Sequence, residues 1–286
     1  MPDAGVVLVD KPIGLSSFAA ISRLRPAYGR KLGHTGTLDP FASGLLVVLH
    51  GRATRLADAL AGADKRYRAV ARFGATSTTD DPEGEIEETG ATTDATAITM
   101  ALPAFTGAIE QVPPAASAVH VDGERAYRRF RRGEAVTVPA RRVLVHAIDL
   151  MHFDDRTQTA ELDIRCGSGT YIRSIARDLG ATLGCGAYLT ELRRTEVGRF
   201  RVEDAAAPDA IAAAPAGTVA WLPPLAAVAD LPRRELDAVE CADVRHGRGI
   251  DGAGEGPIAL IHDGRLVAIG EATAGRIAPR TVLEPA

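Results

Sequence analysis

The chain has 286 residues, 46% hydrophobic and 24% charged, enough to bury a large core without disulfides or a structural metal. Its net charge of −4 argues against a protein that coats nucleic acid indiscriminately. No apolar run approaches the roughly 18 residues of a membrane span, and no basic region precedes a long apolar stretch at the N-terminus. Cys166, Cys185 and Cys241 are far apart and form no CxxC pair, so neither a zinc site nor a disulfide framework is expected. These features predict a cytoplasmic protein with no membrane partner, built as one large domain or as one large and one small.

In chain order, Gly5–Asp10 reads as a buried strand ending at Lys11-Pro12, and Gly14 supplies a turn. Ser16 or Ser17 can cap a helix with Phe18, Ile21 and Leu24 on one face, ended by Pro26 and Gly29. Residues 30–44 are too long a loop to be only a turn, which suggests function. Leu45–Leu49 reads as a strand and Ala53–Leu60 as a helix. Lys65–Phe73 alternates, with Tyr67, Ala69, Ala71 and Phe73 on one face. The acidic stretch 79–90 reads as a flexible excursion, and Thr93 or Asp94 can cap a helix over Ala95–Leu102. Strands are predicted at 117–121, 143–153 and 158–166, then a helix over Thr170–Leu183 and the close of the large domain at Arg199–Val202. Asp204–Ala213 reads as a helix and Trp221-Leu-Pro-Pro224 as a linker. The tail shows strand patterns near 257–262, 265–271 and 279–284. The class is α+β, with units at 1–225 and 226–286.

Charge is segregated. Of 33 basic residues only Lys11, Lys31 and Lys65 are lysines, leaving 30 arginines. Thr76–Ala95 holds seven acids and no base, whereas Glu124–Arg142 holds seven arginines and two acids. A helix over Glu124–Arg132 would align Arg125, Arg128, Arg129 and Arg132 on one side. Such a stripe gains little from burial and can lie along a phosphate backbone. Mutual repulsion would leave 124–142 mobile until RNA arrives. The plain alternative is two solvated loops.

The densest signal is Gly33-His-Thr-Gly-Thr-Leu-Asp-Pro-Phe-Ala-Ser-Gly44. Asp39 stands between Leu38 and Pro40, so its backbone is stiff and its carboxylate can be aimed as nucleophile, general base or metal ligand. A glycine-rich turn capped by Asp39 is the structural alternative. Lys65-Arg-Tyr-Arg68 sets an aromatic among cations, a platform for stacking a base. Cys166-Gly-Ser-Gly-Thr-Tyr-Ile-Arg173 opens a helix, and Leu189-Thr-Glu-Leu-Arg-Arg194 adds two arginines.

Five ordered blocks resemble the TruB family of tRNA pseudouridine synthases: Asp10-Lys-Pro-x-Gly14, Gly33-His-Thr-Gly-x-Leu-Asp-Pro40, Asp64-Lys-Arg-Tyr67, Gly169-Thr-Tyr-Ile-Arg173 and Leu192-Arg-Arg194. They span most of residues 5–200. The resemblance implies a mixed, largely antiparallel catalytic sheet with flanking helices, a small β-rich PUA-like C-terminal domain, and conversion of uridine 55 in the T loop of tRNA to pseudouridine. It assigns Asp39 as catalytic residue, places His34, Tyr67, Tyr171 and Leu192 against the substrate, and pairs Arg173 with the aspartate. Lys11 and Pro12 would shape the floor of the site. The resemblance further implies that a mobile segment folds over the RNA, a role suited to 124–142. Arg173 should hold Asp39 ionised, since an opposite charge lowers a carboxyl pKa. Isomerisation neither gains atoms nor changes oxidation state, so no cofactor and no metal is expected. The partner is the T arm of tRNA, without guide RNA, and the protein is expected to be a monomer. The alternatives are a non-catalytic RNA-binding or RNA-folding protein and a guide-dependent ribonucleoprotein subunit. Those guide-dependent relatives carry longer terminal extensions.

Overall fold

The computed structural model describes residues 3–121, 123–215 and 218–284. Ala4–Lys11 (β1) is a strand with an unbroken buried run from Gly5 to Val9, as expected of a chain segment covered on both faces. Ser17–Tyr28 (α1) begins at Ser16, whose hydroxyl accepts the Ala19 N–H. Pro26 lies within its last turn rather than ending it, because the fixed φ of proline is helix-compatible and one hydrogen bond is lost. Leu32–His34 (β2) and Ser43–Gly51 (β3) follow, then the short Ala57–Ala61 (α2) and Lys65–Phe73 (β4). The inward face of β4 is the predicted one, with Tyr67, Ala69, Ala71 and Phe73 buried.

Residues 79–90 are not a flexible excursion. Ala75–Ser77 (β5) and Ile86–Glu88 (β6) pair as a hairpin, and the turn between them buries Asp80 and Asp81 against arginines of a later helix. Seven acids and no base between Thr76 and Ala95 suggested solvation, but the arginines that neutralise two of them lie almost a hundred residues away. Ala95–Ala101 (α3) is capped by Asp94, and Gly107–Gln111 (β7) adds a strand that the sequence pattern did not reveal. The predicted strand 117–121 shortens to His120–Val121 (β8), which pairs with Glu124–Arg125 (β9). Ala126–Arg131 (α4) is all that forms of the predicted helix 124–132, because the hairpin claims its first two residues.

Arg141–Asp154 (β10), Thr159–Cys166 (β11), Ile172–Thr182 (α5), Ala187–Val197 (β12), Phe200–Arg201 (β13) and Pro208–Ala213 (α6) complete the larger unit. Its sheet runs β1-β3-β12-β4-β11-β10-β7, with β2 on β3 and β13 on β12. Every pairing in it is antiparallel except β3 with β12. One core lies between β4, β11, β12 and the helices α3 and α5, around Phe73, Ile98, Leu162, Ile164 and Ile175.

Arg233–Glu235 (β14), Ala238–Arg245 (α7), Ile250–Asp251 (β15), Gly256–His262 (β16), Arg265–Thr273 (β17) and Arg276–Val282 (β18) form the second unit. Its five strands run β14-β16-β17-β18-β15. A shared apolar cluster joins Val6, Leu45 and Leu49 of the first unit to Ala259, Ile261 and Leu266 of the second. The predicted linker is packed as well: Trp221 stacks edgewise on Tyr28 and tilts over His50, while Leu222 bridges Val6.

The parallel seam sets up the site. Arg194 of β12 lies opposite Gly44 of β3, and a Cβ at Gly44 would sit 2.2 Å from the Arg194 carbonyl oxygen. Only glycine permits that approach, at a φ of +103° that other residues avoid.

Candidate active site

The loop before β3 is pinned from three sides. The Ser17 hydroxyl accepts the Leu38 N–H at 2.8 Å and donates to the Leu38 carbonyl at 3.1 Å. The Gly14 N–H donates to Pro40, and the Arg194 guanidinium donates to the carbonyls of Leu45 at 2.8 Å and Gly36 at 3.0 Å. Asp39 is thereby held at one wall of a cavity of about 310 Å³. Tyr67 of β4, Leu192 and Arg194 of β12, and Tyr171 and Arg173 at the start of α5 supply other walls. That volume is at the small end for a ligand pocket and suits a single unstacked nucleotide.

Arg173 is 3% exposed and makes four contacts. Its Nε lies 3.1 Å from Asp39 Oδ2, its Nη1 meets Asp81 Oδ2 and the Thr79 carbonyl at 2.8 Å each, and its Nη2 donates to Ala116 at 3.0 Å. The Asp39 contact is an ion pair whose N–H is not aligned for a hydrogen bond. Burial pushes the Asp39 pKa above the ordinary aspartate value; Arg173 opposes the rise, Asp81 adds to it and Lys11 counters it. Arg173 lowers the Asp39 pKa, as expected of an opposite charge beside it, but desolvation outweighs the pairing. The Asp39 side chain keeps 35% of its surface open, so the carboxylate is recessed but reachable.

Lys11 is fully buried, with Nζ donating to the carbonyls of Pro12 and Leu15. Burial brings its pKa down to about 8, with Asp39 resisting and Arg194 assisting. Tyr67 is 8% exposed, and burial raises its phenol pKa while Arg194 pulls it back. Tyr171 exchanges two backbone hydrogen bonds with the buried Gln111 amide, at 2.8 and 3.0 Å, and the Arg141 guanidinium rests 4.7 Å from its ring centre. Leu192 stands opposite Ala69 of β4 and closes the apolar side.

The structure thus gathers Asp39, Tyr67, Tyr171, Arg173 and Leu192 around one cavity. His34 is not in its wall. It lies on β2 opposite Val48, with a buried, unpartnered Nδ1, and burial followed by Arg194 lowers its pKa. Arg125, Arg128, Arg129 and Arg132 also stand outside the cavity, although Ser117 and Ala118, just before their segment, and Arg141, near its end, line it. Arg125 ends β9 instead of joining the helical stripe. Arg132 pairs with Glu124 and Glu134, and Arg129 with Glu134. The two acids of the segment thus offset part of the repulsion expected from its sequence. Sequence reading gave no individual site role to Lys65, Arg141 and Arg194, which line the cavity, or to Asp81, which pairs with Arg173. Arg194 stood inside the Leu192-Arg-Arg194 block, but nothing in sequence told its buried guanidinium from a surface one.

One recessed carboxylate, a guanidinium beside it and aromatic and aliphatic walls give the cavity a reactive group next to faces that suit a planar ligand. Residues 25–172 match the model of the TruB family pseudouridylate synthase (N terminal domain), and residues 173–216 that of the tRNA pseudouridylate synthase B C-terminal domain. The chain belongs to the TruB family of pseudouridine synthases, and it is an isomerase. It is 46% identical over 289 residues to a tRNA pseudouridine synthase B of Thermobifida fusca (strain YX), covering 97% of this chain and 98% of the relative. It is 44% identical over 273 residues to the protein of that name from Parasynechococcus marenigrum (strain WH8102), covering 93% and 92%. Among solved structures, a chain of a Cbf5-Nop10-Gar1 complex superposes with a TM-score of 0.75 at 25% identity, covering 98% of this chain and 85% of that one.

Proposed function

We propose that this protein is a stand-alone synthase that converts the T-loop uridine at position 55 of tRNA to pseudouridine, with Asp39 as its catalytic residue. The observation that carries this reading is the recessed Asp39 carboxylate beside Arg173, with Tyr67 across the same cavity. The reaction breaks the N1–C1′ bond, turns the uracil in place and joins C5 to C1′; one proton leaves C5 and one ends on N1. Three targets are open to the Asp39 carboxylate on a uridine bound in this cavity: C1′, C6 and the C2′ proton. Arg173 holds it in place, Tyr67 and Tyr171 offer ring faces to the base, and Leu192 packs its apolar edge. A target base must leave its stack to enter, and a T loop, already folded and splayed, is recognised by shape and phosphates.

Acting without a guide RNA is favoured by the curated relatives, which match at 44–46% identity under the name tRNA pseudouridine synthase B. The chain of the Cbf5-Nop10-Gar1 complex matches at 25%. Having Asp39 and Tyr67 in one cavity favours catalysis over RNA binding alone. Residues 1–225 are read as the catalytic unit, with 124–142 closing over the RNA, and 226–286 as a second RNA-binding unit. The test is incubation with an unmodified tRNA transcript, without additives, followed by chemical mapping. Pseudouridine at a single T-loop uridine is expected. No modification, or modification only with a guide RNA, would overturn the proposal.

A further inference from the structure

Arg194 is 1% exposed, the largest fully buried side chain in the described residues, and it forms no ion pair among them. An unpaired buried charge is costly, so such a residue persists where its charge has a use. Its surroundings add to the cost, since Lys11, Lys65 and His34 all feel its charge. Two of its donors clamp the Asp39 loop at Gly36 and Leu45. On its other side it is the cross-strand partner of Tyr67, and both side chains line the cavity. The glycine at position 44 lets β12 approach the loop closely enough for this clamp.

We propose that Arg194 is a positioning residue for the isomerisation: its guanidinium ties the loop bearing Asp39 to the strand bearing Tyr67 and faces the Tyr67 hydroxyl with an uncompensated positive charge. This rests on the pseudouridine synthase reading, and wild-type turnover in the same assay tests that reading separately. A residue serving only the fold would cost stability wherever it was read out. A residue aligning two walls of the cavity costs rate at saturating RNA and interacts energetically with Tyr67.

The experiment is a double-mutant cycle on Arg194→Met and Tyr67→Phe, with Arg194→Lys as a second replacement that keeps the charge. Single-turnover rates at saturating tRNA and tRNA dissociation constants are measured for each. Arg194→Met should slow the step by about 100-fold with affinity changed less than about threefold. Combined with Tyr67→Phe, it should lose much less than the product of the two single effects. Arg194→Lys should recover part of the rate, since a lysine reaches one carbonyl but not both. Because Arg194 counteracts the upward push of burial on Tyr67, its removal should also shift any Tyr67-dependent alkaline limb to higher pH. Losses that multiply in full, or a rate loss explained by weaker binding, would overturn the proposal. Should Arg194→Met fail to fold, the same cycle run with Arg194→Lys decides it by the same criteria.

Discussion

Replacing Arg173 with Met removes the one cation shared by Asp39 and Asp81, and its two pairings should fail in different ways. Arg173 and Asp81 are each 3% exposed and 2.8 Å apart, so deleting the guanidinium takes the cation from a buried carboxylate and a donor from each of two half-buried carbonyls, those of Thr79 and Ala116. Breaking such a pair from one side costs about 3–5 kcal/mol, a large part of the roughly 5–15 kcal/mol that holds a domain together. The Asp39 pair adds little to that figure, because its 35% exposure lets solvent screen it. Its effect is on chemistry: without Arg173 the Asp39 pKa, already raised by burial, moves further up. If the ionised carboxylate is the working form, the rate falls as pH drops through that value, so the acid limb should shift to higher pH. The share of the stability deficit that comes from Asp39 should shrink in acid, where its protonated carboxyl no longer needs the cation. Urea unfolding at several pH values and a single-turnover pH profile read both effects. A stability loss under about 1 kcal/mol together with an unmoved acid limb would refute this account of Arg173.

Gly44→Ala should cost about 1–2 kcal/mol of backbone strain plus about 1–3 kcal/mol of overpacking against Arg194, whereas Gly14→Ala, at φ +84° with nothing within 4 Å, should cost the strain alone; equal losses in urea unfolding would show that the β3–β12 seam gives way. Tyr67→Phe should keep tRNA affinity within about threefold, and Tyr67→Leu should lose at least about tenfold more rate than Tyr67→Phe; near-wild-type rate and affinity in both would make Tyr67 a core residue only. Replacing Arg128, Arg129 and Arg132 with Ala should flatten the salt dependence of tRNA binding by about one to two units of log–log slope rather than three. The reason is that Glu124 and Glu134 already occupy Arg129 and Arg132. An unchanged slope removes the segment from RNA binding.

What sequence revealed and what it hid divide along one line. Lys65–Phe73 was legible because its period-two pattern is local, as were the α5 face and the strands of the tail. The central strand β12 was not, because bulges after Leu189 and Arg194 break its alternation. The tail helix α7 escaped notice although Asp237 and Glu240 form a reciprocal cap, since its apolar positions are few. In the site, Asp39 and Tyr67 stood out through a glycine-flanked motif and an aromatic among cations, whereas the pairing of Arg173 with Asp39 came only from the resemblance to the TruB family. Asp81 looked like one acid in a solvated run, and only the folded chain brings it to Arg173. Arg194 read as an ordinary cation until burial gave it fixed partners.

The most direct test of the central claim is single-turnover conversion of an unmodified tRNA transcript by excess Asp39→Asn enzyme, with tRNA affinity measured alongside. Asn keeps the size of the side chain and removes the nucleophile or base, so pseudouridine formation should cease while affinity falls by less than about tenfold, or 1.4 kcal/mol. A rate within about tenfold of the wild-type protein would take Asp39 out of the chemistry and contradict the account.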